Sequence, residues 1–430
     1  MTMQFPLTAR LKPDGQVTNL TEYQAADGYQ GLRKALTMDP KAVVNFVKDS
    51  SLKGRGGAGF NTGLKWSFVP QGERSAHPKY LVCNADEMEP GTFKDRWLME
   101  GDPHQLLEGM IIAAYAIQAD VAYLFLRADY NVSAQRLQQA IDDAYANNLL
   151  GDNILGSGYN LKFYLHTSAG RYICDEETAL INSLEGKRAN PRYKPPFPQV
   201  SGLFGKPTVV NNVETFCNLP HILNYGVDWY KGLGRGEDAG TKIFGVSGKV
   251  KNPGAWELPM GTPIREIFEG CAGGMQDGLR LKGFLPGGGS TDFLTEQHLD
   301  LLMDYGAIGK AGSRMGTGTM IILDDKTCPI GMVLNLTRFF AQESCGWCTP
   351  CRNGLPFIRQ LLTDIENGNG KMEDIDTLLD YCTYIGPGNS YCALAPGAAE
   401  PVQSALKYFR DDFVEHIEKG CCPYANQAQG

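Results

Sequence analysis

Lys79-Tyr-Leu-Val-Cys-Asn-Ala-Asp-Glu-Met-Glu-Pro90 is the stretch that decides the fold, because a β-type apolar run, Tyr80 to Cys83, opens directly onto a loop with three carboxylates in four residues. Twelve residues further on, Asp102 and Pro103 supply an N-cap and a first-turn proline, so a helix follows the strand. The alternation then repeats. A strand over Val121 to Leu126 leads into a helix with Leu137, Ile141 and Ala144 at helical spacing, and a strand over Leu161 to His166 precedes a helix through Leu180 and Leu184. Strand alternating with helix predicts a mainly parallel sheet within a multidomain α/β chain.

Outside that region, residues 1–50 read as a polar lead with a short helix around Ala42 to Val47. Past Asp238 the pattern becomes ββαββ: strands at Thr241 to Val246 and near Trp256, a helix from Thr262 to Phe268, and strands at Leu279 to Phe284 and Met320 to Leu323. From about Met332 to Glu418 it is helical, broken by cysteine-bearing loops. The expected segments are 1–50, 51–235, 236–328 and 329–430, in keeping with a prior of roughly three domains for 430 residues.

Lys plus Arg is 40 and Asp plus Glu is 48, so the formal charge is −8, the wrong sign for neutralising a nucleic-acid backbone. The most apolar stretch, Met110 to Leu126, is interrupted by Gln118 and Asp120, so no membrane-crossing helix is expected. Met1 to Lys12 has no basic head followed by an apolar run, which points to a reducing compartment.

Of the 12 cysteines, Cys345, Cys348 and Cys351 lie within seven residues. Gaps of two residues let one loop wrap three corners of an iron-sulfur cubane, whereas four-thiolate zinc sites split into two separate Cys-x-x-Cys knuckles. The fourth ligand is Cys382 or Cys392. Cys392, in the Gly- and Pro-rich stretch Gly386 to Pro396, is preferred, because Cys382 sits in a helical pattern as a buried hydrophobe would. Cys271, Cys328, Cys421 and Cys422 have no partner pattern and receive no role. Two resemblances fail: Gly245 to Lys249 lacks the last glycine of a nucleophile elbow, and Gly202 to Lys206 is too short for a phosphate loop.

Gly54-Arg55-Gly56-Gly57-Ala58-Gly59 has the spacing of a loop whose backbone N–H groups approach a phosphate. A helix, not a strand, precedes it, so an ordinary dinucleotide-binding assignment fails. Lys65 adds a cation. Phe60 and Phe68 stack on a planar ring or pack in a core, and for each alone the core is the better reading. Asn84, Asp86 and Glu89 leave the end of the first strand, where open α/β sheets bind ligands. Asp175-Glu176-Glu177 opens a helix, which carboxylates also favour through the dipole alone. Lys187, Arg188, Arg192, Lys194 and Phe197 form a basic, proline-stiffened segment suited to a phosphate-bearing ligand or a partner surface.

Six segments together resemble the NADH-binding flavoprotein subunit of respiratory complex I, a family shared with diaphorase subunits of NAD-linked hydrogenases and formate dehydrogenases. They are Gly54 to Phe60, Cys83 to Pro90, Gly170 to Gly186, Lys194 to Pro198, Val210 to Thr215 and Glu343 to Arg352. The resemblance implies a Rossmann-like FMN/NADH domain, a ubiquitin-like β-grasp domain and a C-terminal helical bundle with a [4Fe-4S] cluster on Cys345, Cys348, Cys351 and Cys392. It gives FMN to Gly54, Arg55, Gly56, Gly57, Gly59, Lys65, Asn84, Asp86, Glu176, Asn211 and Asn212, with Tyr172, Asp175 and Thr215 beside them. It gives NADH to Phe60, Phe68, Glu89, Glu177, Lys194 and Phe197, with Glu177 on ribose hydroxyls and Glu89 and Glu177 as the catalytic carboxylates. Hydride would pass from nicotinamide to flavin N5, and single electrons from flavin to cluster. Implied partners are a small [2Fe-2S] subunit and a large multi-cluster iron-sulfur subunit, in a peripheral arm on the cytoplasmic side of the inner membrane. No nucleic acid and no direct membrane insertion are implied.

One position departs from that pattern: the family reads Tyr-Ile-Cys-Gly-Glu-Glu, and here Asp175 replaces the glycine. At an effective dielectric of 20 and about 8 Å, the added repulsion of an anionic ligand costs roughly 2 kcal/mol, about 30-fold in affinity. Two other functions stay open. A diaphorase often carries further iron-sulfur domains at its ends, and the short flanks here favour complex I; the other alternative is a non-catalytic electron relay whose NADH site Asp175 impairs.

Overall fold

Four parallel strands carry the first part of the chain in the computed structural model, which describes residues 4–72 and 75–425. They are β1 (Tyr80–Ala85), β2 (Val121–Leu126), β3 (Lys162–Thr167) and β4 (Thr208–Asn212), in the order β3-β2-β1-β4. The chain adds β2 and then β3 on one side of β1 before returning to lay β4 on the other. The strand order therefore reverses between β1 and β4, the position where open α/β sheets form a crevice beyond their carboxyl ends.

The helices of this unit are α1 (Leu20–Ala25), α2 (Gln30–Leu36), α3 (Pro40–Asp49), α4 (Thr62–Ser67), α5 (Lys94–Gly101), α6 (Pro103–Ile117), α7 (Asn131–Ala146), α8 (Glu177–Leu184), α9 (Val213–Cys217), α10 (Leu219–Tyr225) and α11 (Val227–Lys231). As the sequence predicts, the Asp102 side chain caps α6, accepting from the Gln105 N–H, and Pro103 occupies its first turn. The polar lead departs from expectation, with three helices where the pattern predicts one. The reason lies outside the segment: the buried Glu108 carboxylate on α6 accepts from Tyr23 Oη (2.5 Å) and from the N–H groups of Tyr29 (2.8 Å) and Leu32 (2.9 Å), anchoring α1 and α2.

Contacts divide the chain into two compact units, the second comprising Glu89–Thr92, Phe244–Trp256 and Thr262–Gly430, of which 426–430 lie outside the described residues. A second sheet has the order β6-β5-β8-β7, formed by β5 (Thr241–Ser247), β6 (Gly254–Pro259), β7 (Leu281–Leu285) and β8 (Thr319–Asp324). β5 runs parallel to β8, and β7 antiparallel to it. The helix expected over Thr262 to Phe268 is shifted, closing in a wide turn at Glu266–Cys271, and an unforeseen helix α12 (Tyr305–Lys310) precedes β8. The rest is helical: α13 (Pro329–Glu343), α14 (Leu355–Glu366), α15 (Met372–Ile385), α16 (Leu394–Tyr408) and α17 (Arg410–Lys419), with α13 packed on α14 and α16, and α15 on α16.

A buried charge network lies in the first unit, at the start of α9. Glu214, fully buried, accepts from Lys94 Nζ and Lys242 Nζ (both 2.9 Å) and from the Ile243 N–H (2.7 Å). Lys94 also pairs with Asp95 at 2.7 Å. Burial alone would raise the Glu214 carboxyl, but Lys242 and Lys94 outweigh it and hold it at about 2, while burial lowers Lys242 to about 8. A carboxyl depressed on folding stabilises above its ordinary value of 4.5, and that contribution is lost as pH falls towards 2. Glu214→Gln leaves two buried ammonium groups short of their partner and is expected to cost about 3–5 kcal/mol at pH 7. The deficit should shrink by pH 3, measured as denaturant midpoints of both proteins; an equal deficit at the two pH values would refute this assignment.

Candidate functional site

The site grows from the β1/β4 reversal. Cys83 stands in register with Asn211, and Asn84 with Asn212, on the two neighbouring strands. Residues in register on parallel strands face the same side and successive residues face opposite sides. Asn84 and Asn212 therefore share one face. Asn211 belongs to the other, where its Oδ1 accepts from Trp66 Nε1 at 2.9 Å.

The glycine loop sits beside these strand ends. Its base is closed by Gly54 N–H to the Phe60 carbonyl (2.8 Å) and by Arg55 N–H to Thr215 Oγ1 (2.8 Å). Arg55 and Thr215 are buried, and the guanidinium binds Tyr230 Oη (3.1 Å) and the Ala239 and Thr241 carbonyls (2.9 and 3.0 Å). Both side chains hold the loop from within. Gly57 (φ 129°) and Gly59 (φ 65°) turn the chain through left-handed conformations, and a Cβ on Gly56 would lie 3.1 Å from Asn212 Cβ. The loop backbone thus approaches β4 as closely as a glycine allows, leaving a cradle of the kind that a phosphate or flavin edge requires.

Lys65, on α4, donates to Glu177 (2.8 Å) and to the Val210 carbonyl (2.8 Å), and Lys194 donates to Glu176 (3.0 Å) and Glu177 (3.2 Å). Lysines and glutamates that the sequence presents over 130 residues thus form one cluster. Burial would raise Glu177, but Lys65 and Lys194 prevail and keep it below the usual carboxylate range. Glu176 also caps α8 through the N–H groups of Thr178 and Ala179 (both 2.8 Å), so the dipole reading of this acidic trio holds for it as well. Asp175 is exposed, with Asn84 Nδ2 3.4 Å from its Oδ1. Asp86 is buried and accepts from Ser168 Oγ at 2.9 Å, and Tyr172 is buried nearby in sequence, ahead of α8.

Phe60, Phe68 and Phe197 are 50%, 53% and 54% exposed, which overturns the core reading of the first two rings. Phe60 and Phe68 lie 6.5 Å apart at 40°, available to an aromatic ligand. Glu89 groups with the second unit, where it accepts the Ser290 N–H at 2.7 Å. Asn212 is shared: it caps α9 through the Glu214 N–H (3.0 Å) and donates to Asp95 (2.6 Å). Lys94, Asp95 and Lys242, which hold this corner, escape a reading of the sequence because their neighbours along the chain give no hint of burial.

In the second unit, α13 ends at Glu343, a loop presents Cys345 and Cys348, and the helical turn Pro350–Gly354 leading into α14 carries Cys351. The Cys351 thiol is pushed up by burial and then by Cys392, Cys348 and Cys345, so those three thiols all lie near Cys351. Cys392 reaches them from the loop before α16, whereas Cys382 is buried in α15, its thiol raised to about 12 by burial and Asp292. Cys351 with three further thiols near it suits the four-thiolate donor set of a [4Fe-4S] cluster.

Family models described as the Nuo51 FMN-binding domain, the SLBB domain and the NADH-ubiquinone oxidoreductase-F iron-sulfur binding region match residues 47–221, 243–293 and 331–416. The chain is 57% identical over 422 residues to the F subunit of NADH-quinone oxidoreductase from Escherichia coli (strain K12), covering 98% of this chain and 94% of that protein. It is 55% identical to the protein of the same name in Buchnera aphidicola subsp. Acyrthosiphon pisum (strain APS), over 96% and 93%. Among solved structures, a chain of an NAD+-reducing [NiFe]-hydrogenase in the H2-reduced state is similar with a TM-score of 0.81 at 34% identity, covering 95% of this chain and 68% of that one. Cys392→Ala is expected to lower bound iron from about four per chain towards zero, with Cys382→Ala retaining it. Iron assay alongside flavin content checks this, and equal iron in the two variants would contradict it.

Proposed function

The chain belongs to the family of the F subunit of NADH-quinone oxidoreductase, and from that membership we propose that its glycine loop, lysine-glutamate cluster and four-thiol loops are the stations of one electron-input subunit. It is an oxidoreductase subunit with FMN and an iron-sulfur cluster as cofactors and NADH as substrate. Held there, FMN would supply the chemistry of two-electron hydride acceptance and one-electron release, and a cluster on the four cysteines would supply one-electron acceptance. The observation that carries the reading is the convergence of the glycine loop, Lys65, Asn84, Glu176, Glu177 and Asn212 at the reversal between β1 and β4.

The chain's side chains bind and orient; none needs to take or give a proton at the hydride step. In this reading the backbone of Gly54, Gly56, Gly57 and Gly59 and the Lys65 ammonium hold FMN, with Asn84, Asp86, Glu176 and Asn212 as hydrogen-bonding partners. Phe60, Phe68 and Phe197 stack on adenine, and Lys194 attracts the pyrophosphate. Glu177, kept ionised by Lys65 and Lys194, accepts from ribose hydroxyls and repels the extra phosphate of NADPH. Asn211, turned towards Trp66, supports the sheet rather than the ligand.

The finer architecture follows the same reading. The small mixed sheet is a β-grasp, since its first and last strands, β5 and β8, are parallel neighbours at its centre. The helical end is a bundle around the cluster loops, within the segments 51–235, 236–328 and 329–430. The partners are a small [2Fe-2S] subunit and a large multi-cluster subunit of a peripheral arm, facing the cytoplasm. No helix among the described residues is long and apolar enough to cross a membrane.

A diaphorase role is the second reading, favoured by the hydrogenase likeness but outweighed by 57% identity over nearly the whole chain. Anaerobic NADH added to the protein with its small iron-sulfur partner should bleach the flavin and bring up the cluster EPR signal. An intact cluster with an unbleached flavin would overturn the reading in favour of a relay. Asp175→Gly, which removes a charge beside Asn84, is expected to lower KM for NADH by up to about 30-fold with flavin retained. Unchanged KM, turnover and flavin retention would show that Asp175 has no part in dinucleotide binding.

A further inference from the structure

The helical end holds a second cluster of metal-ligating side chains, and none of its members belongs to the four-thiol loops. Cys328, Glu366, His416 and Cys422 each offer one donor atom, and the four atoms all lie within 4.8 Å of one another. Cys328 Sγ is 3.1 Å from Glu366 Oε2 and 3.3 Å from His416 Nε2, which is itself 3.5 Å from that carboxylate oxygen. Cys422 completes the group through hydrogen bonds with Glu366 and Cys328. Metal bonds of about 2.0–2.3 Å in a tetrahedron give ligand-to-ligand edges of about 3.3–3.8 Å, close to the spacing already present.

The surroundings match a ligand set as well. His416 is fully buried, and its Nδ1 lies 2.6 Å from the Asp412 carbonyl, which selects the tautomer with Nδ1 protonated and leaves the Nε2 lone pair facing the other three donors. The Asp412 carboxylate is held in turn by Lys282 (2.6 Å) and Tyr424, whose ring stacks on His416. We propose that Cys328, Glu366, His416 and Cys422 form a closed, structural zinc site. Two sulfurs, one imidazole and one carboxylate suit Zn²⁺ and are wrong for Ca²⁺ or Mg²⁺, which take oxygen ligands. Four protein donors leave no open position for catalysis. Zinc has no accessible redox change, so the site adds no electron station.

Its place in the fold gives it a purpose. Cys328 caps the start of α13, Glu366 ends α14, His416 lies in α17, and Cys422 follows that helix. α13 and α14 form a hairpin whose turn carries Cys345, Cys348 and Cys351, so the zinc ligands clamp the opposite end. The 15 residues of α13 separate the two sites by on the order of 20 Å. In sequence, Cys328 and Cys422 have no partner; folding brings them together across 94 positions, with no knuckle spacing to announce the site.

The full-length protein, freed of loose metal by EDTA dialysis, is expected to retain about one zinc per chain by elemental analysis. Zinc K-edge absorption should show two sulfurs at about 2.3 Å and two lighter donors at about 2.0–2.1 Å. Cys422→Ser and His416→Gln should lose the zinc, while Cys421→Ser keeps it; Cys422→Ser should retain its FMN and cluster iron, which shows that it has folded. The proposal is overturned if wild type equilibrated with Zn²⁺ and passed through gel filtration holds none. It is equally overturned if zinc is undiminished in Cys422→Ser, or if peptide mapping of untreated protein finds Cys328 and Cys422 joined as a disulfide.

Discussion

Glu214 is the constraint on which the first unit depends. One carboxylate, sealed from solvent, joins α5 through Lys94 to the start of β5 through Lys242 and Ile243. The next residue, Thr215, receives the Arg55 N–H and fixes the glycine loop, and two residues earlier Asn212 caps the same helix. A short helix after β4 thus couples the sheet, the buried charges and the glycine loop. Charges removed from water are costly unless fully partnered. Each member here has its opposite, which fixes the corner in one arrangement.

The same economy appears in the lysine-glutamate cluster. Glu176 holds the start of α8 with one oxygen and Lys194 with the other, so the helix cannot move without disturbing the lysine. Lys65 links Glu177 to the backbone of β4. These residues bind one another before they bind anything else, which keeps two lysines and two glutamates ordered at partial exposure.

Much of this is legible in the chain. The parallel strands and the Asp102-Pro103 helix start follow from local pattern, because strand alternation, capping and first-turn proline are local physics. The glycine loop and the preference for Cys392 over Cys382 are readable from loop composition against helical pattern. What cannot be read depends on distant partners. The helices at Leu20–Ala25 and Gln30–Leu36 rely on Glu108, about 80 residues away. Arg55 sits in a glycine loop with nothing nearby to announce its partners, and it turns inward to the carbonyls of Ala239 and Thr241. Phe60 and Phe68 read singly as core residues, and only the assembled surface shows that they lie half exposed.

Asn84 and Asn212 stand side by side only while β1 and β4 keep their present alignment. Sliding either strand by a single step would turn its amide to the far side and bring up Cys83, Ala85, Asn211 or Val213 instead. A molecule gripping both amides therefore inspects the assembly of the sheet, and its binding energy is withheld from misaligned chains. The prosthetic group would act as a proofreader of folding long before it carries any charge.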